Sequence, residues 1–157
     1  MKRAMALRPL WEGSYAAARP ADDDEAPFRT LPQGLRMLAL NADWCLDSAS
    51  TIPLLARLAE AVPGVELRLL ERDAHLDLMD AYLTNGGRSI PLVILLDERF
   101  QPMAHWGPRP APLQAWVRAH LASTTPEERH KEQRRWYAKD RGATTLREIL
   151  ALATREA

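Results

Sequence analysis

The one cysteine of this 157-residue chain, Cys45, lies in the segment 41–48, Asn-Ala-Asp-Trp-Cys-Leu-Asp-Ser. An apolar run at residues 35–40 comes before this segment, and apolar residues at helical spacing follow it over residues 46–62. We therefore expect Cys45 to lie where a buried strand ends and a helix begins, the place where reacting groups gather in open sheets. Backbone N–H groups and the dipole of a helix N-terminus lower the pKa of a cysteine from about 8.5 into a range of about 3.5 to 7.5. This placement predicts a nucleophilic thiolate.

Two neighbours of Cys45 have opposing effects on its thiolate. The charge of Asp47 favours the first turn of the helix but opposes a second negative charge close by. The hydroxyl of Ser48 could offset this effect by donating a hydrogen bond to the sulfur. With one cysteine in the chain, we expect neither an internal disulfide nor a cysteine zinc cluster. The four histidines are scattered along the chain, and their spacing predicts no metal site.

The overall charge argues against several classes of partner. The chain has 21 lysines and arginines and 21 aspartates and glutamates, so it has no global positive field for nucleic acid or a membrane surface. The mixed-charge stretch at residues 127–141 contains Trp136 and Tyr137, and it can be interpreted as a nucleic-acid surface or as a solvated helix that docks its aromatic residues. We favour the helix. No apolar run approaches the length of a bilayer span or a signal-peptide core, which predicts a soluble, cytoplasmic protein.

The apolar periodicity predicts an α/β fold with a mixed four-stranded sheet flanked by helices. The predicted elements are a helix at residues 1–18, a polar linker at 20–25, a strand at 35–40, a helix at 46–62, a strand at 65–70, a helix at 76–83, a hairpin of strands at 92–96 and 101–105, and a helix at 110–121. Two further helices should be separated near Gly142, the first starting at Thr125 and the second capped by Thr145 and Glu148. We expect three parts: an N-terminal helix and linker (1–30), a central domain (31–122) and a C-terminal helical extension (123–157).

Several motifs resemble those of the thioredoxin family. Trp44-Cys45-x-x-Ser48 is similar to the active-site motif Trp-Cys-x-x-Cys, with serine in place of the second cysteine. Pro53 corresponds to the proline that kinks the thioredoxin active-site helix, and Ser89-Ile90-Pro91 resembles the cis-proline loop of that family. Gly107 corresponds to the glycine that keeps the substrate groove open. The similarity covers residues 35–121, and the C-terminal residues resemble those of a bacterial branch of uncharacterised thioredoxin-like proteins.

The resemblance implies a thioredoxin-like fold in which Cys45 is the catalytic residue. It also implies a substrate-binding set, namely Trp44, Ser48, Ile90, Pro91 and Gly107, with a cis bond before Pro91. Two nearby residues have alternative roles. Trp106 could line the groove or pack in the core, and Arg109 could bind the carboxylate of a thiol cofactor or have no specific role.

Two departures from the thioredoxin pattern bear on the mechanism. Ser48 cannot act as a resolving thiol, and Ala39 stands where thioredoxins have a buried acid. Cys45 could therefore form a mixed disulfide with a disulfide-containing protein but would need an external thiol such as glutathione to resolve it, with no bound cofactor. We expect a monothiol thiol-disulfide oxidoreductase. The alternative is a redox-inactive adaptor that binds a partner protein through the same groove.

Overall fold

A computed structural model of the chain describes residues 2–20 and 22–155. Within these ranges the elements are α1 (Lys2–Ala17), α2 (Asp22–Arg29), β1 (Leu35–Asn41), α3 (Leu46–Ala61), β2 (Val65–Glu71), a 3₁₀ turn (Arg72–Ala74), α4 (Leu76–Asp80), β3 (Leu92–Leu96), β4 (Pro102–Trp106), α5 (Ala111–His120), α6 (Pro126–Asp140) and α7 (Ala143–Ala153). Four positions covered by the predictions lie outside the described residues: Met1 in the first helix, Ala21 in the linker, and residues 156 and 157 in the extension.

The four strands form one mixed sheet in the order β2, β1, β3, β4, which confirms the predicted fold class. β1 and β2 are parallel and are connected through α3, whereas β3 is antiparallel to both β1 and β4. Side chains alternate between the two faces of a strand. Met37 and Ala39 of β1 therefore join the larger apolar core with α3 and α7, and Leu40 joins a second cluster that contains Cys45.

Two sequence predictions differ from the structure in the first half of the chain. The polar linker predicted at residues 20–25 is wrong over residues 22–25, because they form the start of the helix Asp22–Arg29. Its first turn carries four acidic residues, which interact favourably with the helix dipole, and Phe28 anchors it with only 2% of its surface exposed. The helix predicted over 76–83 ends at Asp80, and Leu83 beyond it is 45% exposed.

The C-terminal extension forms the two predicted helices, separated at Gly142. Thr125 and Glu128 make a capping box at the start of α6. The capping box predicted for Thr145 and Glu148 is wrong, because Thr145 is buried inside α7 and Gly142 is the N-cap. Glu148 instead accepts hydrogen bonds from Trp106 Nε1 at 2.7 Å and from the Ala111 backbone N–H at 2.8 Å. Among the described residues, no helix combines the length and apolar character needed to cross a bilayer.

Candidate active site

Cys45 occupies the junction between β1 and α3, as the sequence predicts. It is the N-cap residue of α3, with extended backbone angles (φ −91°, ψ 122°). Its Sγ accepts a hydrogen bond from the Ser48 backbone N–H at 3.4 Å. A side-chain oxygen ordinarily fills this role at a helix N-terminus. The sulfur is therefore held where a negative charge would meet the positive end of the helix dipole.

The predicted proline loop lies directly beside this sulfur. The peptide bond between Ile90 and Pro91 is cis, and Cys45 Sγ donates to the Ile90 carbonyl oxygen at 3.5 Å. Gly107 follows β4 and has a φ of +124°, a value that side-chain-bearing residues rarely adopt. A Cβ at this position would lie 2.1 Å from the carbonyl oxygen of Pro91. Glycine is thus required for β4 to pass this close to the proline loop.

The environment of Cys45 does not produce the acidic thiol that the sequence predicts. Only 8% of the residue surface is exposed. Burial raises the pKa of the Cys45 thiol, hydrogen bonding from Ser48 lowers it by less, and the Asp47 charge raises it further. The prediction of a lowered pKa is therefore wrong, because the effect of desolvation on the pKa is larger than that of the hydrogen bonds at the start of α3. The resting thiol is protonated at neutral pH.

The predicted substrate-binding residues divide into a surface group and a buried group. Trp44 is 37% exposed, and the Arg72 guanidinium lies 4.8 Å from its ring centroid. Ser48 is fully buried, and its hydroxyl has no hydrogen-bond partner among residues 2–20 and 22–155. Ile90 and Pro91 are also buried. Trp44 is therefore the member of this set with a large exposed surface.

Trp106 and Trp11 have structural roles. Trp106 is 5% exposed and packs in the larger core, which decides between the two roles considered for it. Trp11 of α1 donates from Nε1 to the backbone carbonyl of Asp43 at 2.8 Å. α1 thus contacts the loop that carries Trp44 and Cys45, a contact that no sequence pattern indicates.

A buried polar cluster around Asp47 is the main feature that the sequence analysis missed. Asp47 is 4% exposed, and its carboxylate contacts Arg109 Nη2 at 2.7 Å. The same carboxylate accepts hydrogen bonds from Tyr137 Oη at 2.8 Å and from Gln133 Nε2 at 3.5 Å. Arg109 also donates to Gln114 Oε1 at 2.9 Å. The guanidinium of Arg109 is thus used inside the protein, which argues against the cofactor-binding role considered for it.

This cluster connects the active-site helix with the C-terminal extension. Asp47 lies in the first turn of α3, whereas Tyr137 and Gln133 belong to α6. Burial raises the pKa of Asp47, and the nearby Arg109 and Tyr137 oppose that rise. Burial and the charge of Asp47 raise the pKa of Tyr137, so its hydroxyl remains protonated and donates to the carboxylate. The adjacent aromatic residues Trp136 and Tyr137 of α6 indicate docking, but no local pattern identifies the partner.

Comparison with known proteins supports this assignment of the fold. A family model described as thioredoxin matches residues 5–139. No curated protein matches the chain. A crystal structure of a protein of unknown function from Pseudomonas aeruginosa is similar with a TM-score of 0.71 and 19% identity, covering 99% of this chain and 86% of that chain. An HIV epitope-scaffold is similar with a TM-score of 0.66 and 18% identity, covering 90% of this chain and 83% of that chain.

At such low identities the two solved structures show a shared fold only. The family model carries more weight because it covers most of the chain. Its span includes the cysteine at the start of α3, the cis-proline loop and the C-terminal helix that contacts Asp47. The chain therefore belongs to the thioredoxin family.

Proposed function

We propose that this protein is a monothiol thiol-disulfide oxidoreductase in which Cys45 forms a mixed disulfide with its substrate. The position of the sulfur supports this proposal most strongly. Cys45 Sγ lies 3.4 Å from a backbone N–H at the start of α3 and 3.5 Å from the Ile90 carbonyl oxygen at the cis-proline loop. The substrate is a disulfide-containing protein or a protein carrying a mixed disulfide with a small thiol.

The exchange needs no bound cofactor. The Cys45 thiol loses its proton, and the thiolate attacks one sulfur of the substrate disulfide. The other sulfur leaves as a thiolate and takes up a proton. An external thiol such as glutathione then attacks the mixed disulfide, becomes part of a new disulfide and returns Cys45 to its reduced form. The electrons come from the external thiol, because the chain has no second cysteine to supply them.

The raised pKa of Cys45 slows this chemistry without preventing it. Each unit by which the pKa of a thiol exceeds the ambient pH reduces the thiolate population about tenfold. The remaining thiolate is about threefold more nucleophilic, because nucleophilicity increases with basicity at a Brønsted coefficient of about 0.5. The net loss is therefore about threefold per unit, which a docked substrate can offset through proximity.

A redox-inactive adaptor is the second candidate function. The observation that favours it is the burial of Cys45, which is 8% exposed and has a raised pKa. Buried, weakly acidic cysteines are often structural and inert. An adaptor would use Trp44 and the surrounding surface to bind a partner protein, and replacing Cys45 by alanine would leave that binding intact.

Incubation of the reduced protein with oxidised glutathione should distinguish the two functions. We expect one glutathione on Cys45, visible by intact mass, that persists until reduced glutathione is added. In Ser48→Cys the adduct should disappear with formation of an internal disulfide between positions 45 and 48, because the backbone N of residue 48 is only 3.4 Å from Sγ. Cys45→Ser is the control without a thiol.

Two results would count against the oxidoreductase. One is the absence of an adduct on the folded protein when the urea-unfolded protein is modified under the same conditions. The other is an adduct on the wild type that disappears without added thiol. The first result favours the adaptor.

A further inference from the structure

A groove between α1, α3 and α6 is separate from the Cys45 site. It has a volume of about 650 Å³, which lies within the range of about 300 to 1,000 Å³ that is typical of small-molecule sites. Its apolar lining includes Leu10 of α1, Leu54 of α3 and Ala138 of α6. None of its lining residues belongs to the substrate-binding set around Cys45.

Three arginines line this groove. Arg19, Arg134 and Arg141 are exposed, and none of their side chains makes an ion pair or hydrogen bond with another described residue. Among the described residues that line the groove there is no aspartate or glutamate. By contrast, the neighbouring Arg135 forms an ion pair with Glu132. Like charges in a groove with low-dielectric walls focus the electrostatic potential, so this groove attracts anions.

We propose that this groove binds an organic anion with an apolar body, of the class of medium-chain carboxylates. The apolar lining contacts the hydrocarbon chain, and the arginines bind the carboxylate, for which the guanidinium group is well suited in geometry and charge. This proposal does not rest on the thiol chemistry proposed above. Its test therefore uses affinity rather than redox activity.

Calorimetric titration of the reduced wild-type protein with octanoate and with its neutral counterpart octanamide tests the role of charge. We expect one octanoate per chain and an affinity for octanamide at least about tenfold weaker, because a charge-assisted hydrogen bond is lost. Equal affinities for the two ligands, or no octanoate binding up to millimolar concentration, would overturn the proposal.

Variants of α6 test the location. Arg134→Gln and Arg141→Gln should each weaken octanoate binding about tenfold, and Arg135→Gln, with its paired side chain, should leave it unchanged. Ala138→Trp should abolish binding by filling the groove. Equal losses in Arg134→Gln and Arg135→Gln would place the ligand elsewhere and contradict the proposal. Glutathione adduct formation on Cys45 should be unaffected in all four variants, so the two proposals can fail separately.

Discussion

Replacing Gly107 by alanine should lower the free energy of unfolding by about 3 kcal/mol. Two costs combine at this position. The backbone has a φ of +124°, which strains any residue with a side chain, and the new Cβ would lie 2.1 Å from the carbonyl oxygen of Pro91. The obstructing atom is backbone, so it cannot rotate away as the end of a flexible side chain would. The clash can be relieved only if β4 and the proline loop move apart.

Urea unfolding followed by circular dichroism measures this loss. Gly13→Ala is the matched control, because Gly13 lies inside α1 and a Cβ there meets nothing within 4 Å. That substitution should stabilise the protein by about 0.5 to 1 kcal/mol. A Gly107→Ala protein within about 0.5 kcal/mol of the wild type would show that β4 is not pressed against the proline loop.

Arg109→Gln should destabilise the protein by about 3 to 5 kcal/mol at neutral pH, because it leaves a buried carboxylate without its cation. The side chain of Asp47 is only 6% exposed, whereas that of Arg109 is 22% exposed and can reach water. Asp47→Asn should therefore destabilise the protein by less than Arg109→Gln does, by about 1 to 2 kcal/mol. Urea unfolding of both variants gives the two losses. If Asp47→Asn lowers the free energy of unfolding as much as Arg109→Gln or more, the expected difference between the two variants is wrong.

The loss of folding stability in Arg109→Gln, its deficit relative to the wild type, should increase with pH. The pKa of Asp47 is already raised in the folded protein, so its contribution to stability is present in full below the unfolded value of 3.8 and is lost as pH rises through the folded pKa. Arg109 lowers the pKa of Asp47, so removing it raises the folded pKa and extends the loss to higher pH. The Arg109→Gln deficit should be small near pH 4 and should increase from there toward neutral pH. Adding Asp47→Asn to this variant should remove most of the pH dependence.

Local patterns predicted much of the fold and the position of the nucleophile. Short apolar runs identified β1 and β3, and alternating apolar residues identified β2. Helical spacing identified α3 and α5, and the helix-start signal at Thr125 identified α6. The position of Cys45 was predicted correctly because neighbouring residues indicate both the end of the strand and the start of the helix. Ile90, Pro91 and Gly107 were placed beside the site through their resemblance to thioredoxin motifs, and the structure has the expected cis bond before Pro91.

Long-range contacts account for what the sequence analysis missed. Asp47 contacts Gln133 and Tyr137, which lie 86 and 90 residues further along the chain, and no periodicity connects such positions. The acidity of Cys45 was predicted wrongly for a similar reason. The helix N-terminus is a local feature, but burial depends on apolar residues from several elements of the second cluster, such as Met79, Ile90 and Leu92. Thr145 was misassigned as a cap because the burial of α7 is a tertiary effect.

The pH dependence of Cys45 alkylation by iodoacetamide tests most directly whether this thiol is a nucleophile whose acidity is set by burial. The rate in the folded protein should rise to a plateau with a midpoint above the value of about 8.5 for an unperturbed cysteine. In Asp47→Asn the midpoint should be lower, because the Asp47 charge raises the pKa of Cys45. A midpoint below that of an unperturbed cysteine would contradict the role of burial, and no alkylation between about pH 6 and about pH 11 would contradict the nucleophile itself.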